Sequence, residues 1–240
     1  MRSLRSRLLA LVGLSFLGAV GLAHAHDFAP SVLRVRAIGA DGSVKVGSGV
    51  VTAPGRVATA CHVTRGAVRI EIEHGANRSV ADEQVGSQHH DLCLLTAKAV
   101  DAPVAPMRRS EDLTPGEIVI AVGFQGGTSS VESRGIVAAL YPYDDGQVIR
   151  TTASFDFGAS GGGLFDQTGN LVGILAFKAR TGEGLRFALP TGWLSPENKV
   201  AGRFVRVTPA AVNGAFWEGS QNDRPAFLGV AKREAAGQLP

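Results

Sequence analysis

Ser160 lies in a glycine-rich stretch, FDFGASGGGLFD, which covers residues 155–166 and holds four of the chain's 31 glycines. Glycine is entropically costly to order, and it is found where the backbone turns tightly or where another group approaches it closely. A serine in such a stretch is either a nucleophile surrounded by open backbone N–H groups or the tip of an ordinary loop. The stretch alone does not decide between these two interpretations.

Two further short blocks supply the residue types that a nucleophilic serine requires. VATACHV carries His62 at the end of a strand-like run, and HHDLCLL places Asp91 immediately before an apolar run. A serine hydroxyl is a weak nucleophile near neutral pH and needs a base, and histidine titrates in the right range. A buried carboxylate holds the imidazole in the productive tautomer. These residue types predict a catalytic triad of Ser160, His62 and Asp91.

The glycines around Ser160 have a role in the same chemistry. The tetrahedral intermediate of acyl transfer needs N–H donors for its oxyanion, and we expect the backbone N–H groups of Gly158 and Ser160 to supply them. Taken alone, His62 is as easily an ordinary strand-end histidine, and Asp91 a strand-start cap. The three residues together favour catalysis.

His89 and His90 precede Asp91 and, with His62, raise the alternative of a metal site. Adjacent residues on a strand point to opposite faces. We therefore expect that the two rings do not share one ion and that both histidines are solvated loop residues. The chain is predicted to use no metal and no cofactor.

The elements that must position these residues are strands. Ten short apolar or alternating runs, rich in valine and isoleucine, are separated by Gly, Pro, Asn or Asp, and this pattern predicts an all-β sandwich or a pair of barrels. The runs are Val32–Val35, Gly49–Val51, Arg56–Ala60, Val68–Ile72, Leu92–Leu95, Ile118–Val122, Gly135–Leu140, Val148–Thr152, Leu171–Phe177 and Leu185–Leu189.

Residues 1–25 have the pattern of a secretory signal peptide: a basic start, an apolar run over residues 8–22, and the small-x-small site Ala23-His24-Ala25. We expect cleavage after Ala25 and a periplasmic or secreted protein, with no membrane span after the signal. The whole chain has 24 basic and 21 acidic residues, and three of its arginines lie in this signal. The remainder is close to neutral, so composition gives no case for nucleic acid or an anionic membrane as partner.

Several blocks beyond the triad carry a family likeness. GSGVV (residues 47–51), TPGEIVIAVGFQGG (114–127), ESRGIVAAL (132–140), LVGILAF (171–177) and LRFALP (185–190) surround the His, Asp and Ser blocks in one order. In this order the chain resembles the trypsin-like, chymotrypsin-fold serine peptidases, and most closely their bacterial HtrA-type branch. The resemblance implies two six-stranded antiparallel β-barrels with the active site between them. It also implies an endopeptidase that cleaves polypeptides through an acyl-enzyme intermediate.

The resemblance also implies a domain organisation. Residues 26–200 correspond to the protease domain, and 201–240 form an extension that wraps it. The stretch after Leu194 is shorter than the roughly 90 residues of a PDZ domain, the module that usually follows in HtrA-type proteins. Ala159 stands where zymogen-activated relatives have an aspartate, so we expect the mature chain to be active without a further N-terminal cleavage.

The substrate pocket follows from the resemblance alone. Its expected walls contain no acidic residue, which favours a small or apolar side chain before the scissile bond over lysine or arginine. The expected pocket residues are Ser154, Phe155, Leu175, Ala176, Phe177 and Phe187.

Cys61 and Cys93 are the only cysteines of the chain. An even number in an exported protein favours one disulfide, with two buried free thiols as the alternative. In the implied fold, the backbone before His62 lies against the strand that Asp91 opens, which would bring the two cysteines face to face.

Two functions of different classes remain. One is an exported serine endopeptidase with polypeptide substrates. The other is a protease-fold binding or scaffold protein that has lost turnover. The presence of Ser160, His62 and Asp91 together favours the peptidase.

Overall fold

The computed structural model describes residues 28–87, 89–126, 129–178 and 185–194, with the backbone alone for 177–178 and for Val205–Arg206. Nearly all of the regular structure in these residues is β, arranged as two sheets. The predicted signal peptide and almost all of the C-terminal extension lie outside the described residues and stay predictions. Among the described residues, no helix is both long and apolar enough to cross a membrane.

The first sheet, here called the N-terminal sheet, contains seven consecutive strands in the order β6-β7-β3-β2-β1-β4-β5, each antiparallel to its neighbour. The strands are β1 (Val32–Gly39), β2 (Val44–Ala53), β3 (Arg56–Ala60), β4 (Ala67–His74), β5 (Asn77–Val80), β6 (Glu83–Ser87) and β7 (Leu92–Thr96).

The two edges of the N-terminal sheet are joined through a bend between β5 and β6. The Ala81 N–H donates to the Ile70 carbonyl in β4, and the Asp82 N–H donates to the Thr96 carbonyl in β7. One continuous segment therefore pairs with β4 on one side and β7 on the other. If β5 and β6 are counted as one bent strand, this half has six strands, as predicted.

The second sheet, here called the C-terminal barrel, is closed, with strand order β10-β13-β12-β11-β8-β9. The prediction of an all-β fold with two barrels is confirmed. The strands are β8 (Ile118–Phe124), β9 (Ser130–Tyr143), β10 (Gly146–Thr151), β11 (Gly163–Asp166), β12 (Leu171–Lys178) and β13 (Arg186–Pro190).

Side chains that alternate along the strands fill three apolar clusters. One lies within the N-terminal sheet around Leu33 and Ile70, and one within the C-terminal barrel around Ile149 and Leu164. The third contains residues of both halves. Burial of apolar surface stabilises by roughly 25 cal/mol per Å², so this shared cluster holds the halves together and fixes the cleft between them.

A short strand from the C-terminal extension, β14 (Val205–Arg206), pairs antiparallel with β6 at Glu83 and Gln84. The extension therefore adds to one edge of the N-terminal sheet. That edge is next to β7, the strand that follows Asp91.

Candidate active site

His62 lies in α1 (Cys61–Thr64), a single turn that directly follows β3, and Asp91 lies in the turn that directly precedes β7. Strands β3 and β7 are paired, with Ala60 opposite Leu92. The backbone of Asp91 has φ +55°, the left-handed conformation that Asp and Asn adopt more readily than most residues. Its carbonyl accepts a hydrogen bond of 2.9 Å from the Cys61 N–H. Strand pairing thus brings the two residues together.

The Asp91 carboxylate is buried and makes two hydrogen bonds to one residue. Its Oδ2 lies 2.6 Å from Nδ1 of His62, and its Oδ1 accepts the backbone N–H of His62 at 2.8 Å. An ionised carboxylate only accepts hydrogen bonds, so Nδ1 carries the hydrogen and Nε2 is left as the basic nitrogen. The His62 side chain is 41% exposed, whereas that of Asp91 is 4% exposed. The buried carboxylate of Asp91 therefore orients the partly exposed base, His62.

The predicted disulfide is present between Cys61 and Cys93, with Cα atoms 4.9 Å apart. Cys61 adjoins His62, and Cys93 is two residues beyond Asp91. Gly86 lies against the bond, and a Cβ there would approach the Cys93 Sγ to 2.4 Å. The base and its acid are therefore held between the two ends of a covalent crosslink.

The Ser160 loop is pressed against β2 of the other half. The Ser48 N–H donates to the Ser160 carbonyl at 2.8 Å, and the Gly161 N–H donates to the Leu175 carbonyl at 2.6 Å. Gly161 has φ +87°, and a Cβ there would lie 2.1 Å from the Ser48 carbonyl oxygen. Only glycine fits this position, which explains part of the glycine-rich stretch.

The Ser160 hydroxyl donates a hydrogen bond of 2.9 Å to the backbone carbonyl of Ala176 in β12. A hydroxyl has one hydrogen to donate. In this conformation the hydrogen is directed at β12 and not at the imidazole of His62. Proton transfer to His62 requires the Ser160 hydroxyl to give up this hydrogen bond.

Gly158 and Ser160, the predicted oxyanion donors, have N–H groups that make no hydrogen bond to any described residue. Gly158 has φ +92°, and its carbonyl accepts a hydrogen bond of 2.8 Å from the Ser48 hydroxyl. That hydroxyl also accepts the Phe124 N–H at 2.8 Å. Backbone N–H groups without a hydrogen bond to any described residue can bind a developing oxyanion, because the Ser48 hydroxyl fixes the loop that carries them.

Sequence reasoning missed Ser48 in this arrangement. The residue is fully buried in β2, a strand whose buried positions are otherwise glycine or valine. The signal in the sequence is weak, because a serine inside GSGVV looks like any small residue of a strand.

The expected pocket residues divide into two groups. Ser154 is exposed, whereas Phe155, Leu175, Ala176 and Phe187 are buried in the apolar clusters. Phe177 is opposite Phe187 in the pairing of β12 with β13, and its side chain lies outside the described residues. The pocket stays a prediction. Sequence reasoning also missed Phe157, which is 92% exposed directly before Gly158.

His89 and His90 lie in a turn, as expected of loop residues. The expectation that their rings diverge, which assumed strand geometry, is wrong. Their Nε2 atoms lie 2.9 and 2.8 Å from the same oxygen, Oδ2 of Asp144. The hydrogen bond from His90 lowers the pKa of the Asp144 carboxyl, against the opposing effect of burial and with further help from His89. Burial raises the pKa of the adjacent Tyr143. His62 belongs to the separate pair with Asp91.

Comparison with known proteins identifies relatives of this chain. The family described as trypsin-like peptidase domain matches residues 47–174. A probable periplasmic serine endoprotease DegP-like of Marinomonas sp. is 32% identical over 195 residues, which are 75% of this chain and 42% of that protein. The chain spans less than half the length of the curated relatives it matches.

Two solved structures are similar in fold and sequence. The serine endoprotease from Yersinia pestis is 32% identical with a TM-score of 0.61, and the match covers 69% of this chain and 60% of that one. The HtrA-type protease AlgW with tripeptide is 30% identical with a TM-score of 0.61, over 68% of this chain and 57% of that one.

Proposed function

The chain belongs to the trypsin-like peptidase family, and we propose that it is a serine endopeptidase in which Ser160, His62 and Asp91 form the catalytic triad. The observation that carries this proposal is the bond of 2.6 Å between Nδ1 of His62 and the buried carboxylate of Asp91. This bond leaves Nε2 as the basic nitrogen of a side chain that is 41% exposed.

The proposed reaction begins when the Ser160 hydroxyl turns from the Ala176 carbonyl towards His62. As Oγ bonds to the substrate carbonyl carbon, its proton passes to Nε2, and Asp91 stabilises the imidazolium. The N–H groups of Gly158 and Ser160 bind the oxyanion. The intermediate then expels the amine, which takes the proton from Nε2, and leaves an acyl ester on Ser160. Water hydrolyses this ester by the same sequence of proton transfers.

We propose polypeptides as substrates and the periplasm as the location. The first is supported by the similar AlgW protease, whose structure was solved with a tripeptide, and the second by the periplasmic name of the Marinomonas relative. The expected signal peptide agrees with export. The preference for a small or apolar residue before the scissile bond remains part of the proposal.

Labelling with a fluorophosphonate tests the nucleophile, because the reagent reacts with an activated serine. We expect the purified mature chain, which starts near His26, to be labelled on Ser160 without further proteolysis, and Ser160→Ala to abolish both labelling and casein hydrolysis. The variant should keep the circular dichroism spectrum of the parent. Turnover within tenfold of the parent would exclude Ser160 as the nucleophile.

A second candidate function is a protease-fold binding protein without turnover. The observation that favours it is the hydrogen bond from the Ser160 hydroxyl to Ala176, because the nucleophile is then engaged away from its base. The same labelling experiment separates the two. A folded chain that binds peptides but is neither labelled nor active would support the binding protein.

A further inference from the structure

A cluster of metal-ligating groups lies outside the candidate triad. One ligand atom each from His89, His90 and Asp144 lies within 4.8 Å of the others. The nearest approaches are from the two Nε2 atoms to the Asp144 Oδ2, at 2.9 and 2.8 Å. The Tyr143 hydroxyl lies 2.8 Å from the same Nε2 of His89. Four polar side chains therefore converge at one point.

These groups come from both halves of the molecule. His89 and His90 lie in the turn that leads through Asp91 into β7, and Asp144 lies in the turn between β9 and β10. His90 is held in place by the ring of Trp193, with centroids 4.2 Å apart, and by a hydrogen bond from its N–H to the Ser87 hydroxyl. Its side chain is 20% exposed. The cluster is positioned by packing and not only by its own contacts.

We propose that His89, His90 and Asp144 bind one divalent transition-metal ion, for which zinc is the natural probe. Two imidazole nitrogens and a carboxylate oxygen form a ligand set that zinc favours, with a fourth position open to water. Zinc–ligand bonds of roughly 2.0–2.2 Å place ligand atoms about 3.3 Å apart in a tetrahedral site. The separations of 2.8 and 2.9 Å between the two nitrogens and the carboxylate oxygen would widen slightly, and the two nitrogens, which lie within 4.8 Å of each other, would adjust to the same spacing. The side chains are partly exposed and can make these movements.

An ion explains the convergence better than hydrogen bonds alone. The Nε2 atoms of both imidazoles contact one oxygen of the Asp144 carboxylate, and the Nε2 of His89 also contacts the Tyr143 hydroxyl. A cation at their centre accepts a lone pair from each nitrogen and from the carboxylate at once. It would also join the turn that contains Asp91 to a hairpin of the C-terminal barrel. This proposal does not depend on peptidase activity.

Calorimetric titration with zinc chloride at pH 7.5 tests the site, with the full chain carrying Ser160→Ala so that it does not digest itself. We expect one equivalent of zinc to bind with micromolar affinity. His89→Ala and Asp144→Asn should each weaken binding by at least tenfold. His74→Ala is the matched control, because this histidine bonds only to the Asp101 backbone carbonyl and lies outside the cluster. It should bind zinc like the parent.

Thermal unfolding and cobalt spectroscopy give readouts that do not involve activity. Zinc should raise the unfolding midpoint of the parent and of His74→Ala but not of Asp144→Asn, because an ion that binds only the folded state stabilises it. Cobalt should give the visible absorption of a four-coordinate site in the parent and in His74→Ala but not in Asp144→Asn. Absence of binding, or equal binding by Asp144→Asn and the parent, would overturn the proposal and leave a histidine–carboxylate cluster without an ion.

Discussion

His62 and Asp91 are held within one half of the molecule, whereas Ser160 is held largely by the other half. The histidine directly follows β3 and the aspartate directly precedes β7, two paired strands of the N-terminal sheet. The two residues are joined by two hydrogen bonds, and the Cys61–Cys93 disulfide links residues close to them in the sequence. The Ser160 loop belongs to the C-terminal barrel, but Ser48 of the N-terminal sheet bonds to it twice, through a backbone N–H and through its hydroxyl.

The two regions therefore fix the positions of their candidate catalytic residues in different ways. Local hydrogen bonds and the disulfide hold His62 against Asp91 without any contribution from the C-terminal barrel. The loop with the nucleophile instead depends on close approach between halves, which glycines permit and a Cβ would prevent. Changes in the first region should act on the chemistry of the base, and changes in the second on the placement of the nucleophile.

Asp91→Asn should have the largest effect, because it changes the chemistry of the locally held pair. The amide group can donate to Nδ1 and so favours the imidazole tautomer with hydrogen on Nε2, which cannot act as a base. Turnover of a peptide substrate at pH 7 should fall about 10⁴-fold, the size of this effect in Ser-His-Asp enzymes. Zinc binding at the His89 cluster, in contrast, should persist. A loss of turnover below tenfold would exclude Asp91 as the orienting acid.

Gly161→Ala should have the next largest effect, on the region that depends on contact between halves. Its Cβ would lie 2.1 Å from the Ser48 carbonyl oxygen and 2.4 Å from the Thr59 hydroxyl. A left-handed conformation costs alanine about 1–2 kcal/mol, and overpacking adds about 1–3 kcal/mol. We expect unfolding in urea to show a loss of this combined size, together with loss of fluorophosphonate labelling.

Gly42→Ala is the matched control for Gly161→Ala. Gly42 has a similar φ of +80° but no atom within 4 Å of its Cβ position. It should show only the conformational cost and keep its labelling. If both variants lose the same stability and Gly161→Ala is labelled at the parental rate, close packing does not hold the Ser160 loop.

Removal of the disulfide should affect the N-terminal sheet alone. The bond spans a sequence separation of 32 residues, and the chain-entropy estimate for such a loop is about 3–4 kcal/mol. The double variant Cys61→Ala with Cys93→Ala should lose stability of that size in urea. Fluorophosphonate should also label this variant more slowly, because the disulfide no longer constrains the positions of His62 and Asp91. Two free, alkylatable thiols in protein purified from the periplasm would contradict the bond itself.

Much of the fold could be predicted from the sequence, because it depends on local pattern. All ten apolar runs coincide with strands, although two of them extend one residue beyond the strand, at Thr152 and at Leu185. Alternation of valine and isoleucine suits a half-buried sheet. The strands that the pattern does not predict are β5, β6, β11 and β14, with sequences NRSV, EQVGS, GLFD and VR. These short sequences carry little hydrophobic signal, and they are strands because neighbouring strands supply their backbone hydrogen-bonding partners.

The residues of the candidate site likewise differ in whether the local sequence predicts their role. The three candidate triad residues stand in short blocks with recognisable chemistry. The sequence predicts loop positions for His89 and His90, but their approach to Asp144 depends on a hairpin 54 or 55 residues away. Ser48 escapes prediction because its partners lie 76 and 110 residues away, in the other half. Contacts between the N-terminal sheet and the C-terminal barrel do not produce a periodic pattern of residues in the sequence.

Ser48→Ala should have the smallest effect of the four, and it tests the contact between halves most directly. The hydroxyl joins the Gly158 carbonyl to the Phe124 N–H, and the residue is fully buried. Its loss leaves two buried polar groups without that partner, at a cost of about 1–3 kcal/mol. The backbone bond from Ser48 to Ser160 remains, so the loop should shift without being released.

We therefore expect kcat to fall about tenfold with KM unchanged, since a shift of about 1 Å in a reacting group can cost up to about 10²-fold. Ser79→Ala is the matched control, because this buried serine donates to the Ala99 carbonyl within the N-terminal half. It should lose comparable stability and keep kcat. Equal kcat values in the two variants would show that Ser48 contributes to stability alone. A fall in kcat confined to Ser48→Ala would show that the N-terminal sheet positions the oxyanion loop of the barrel.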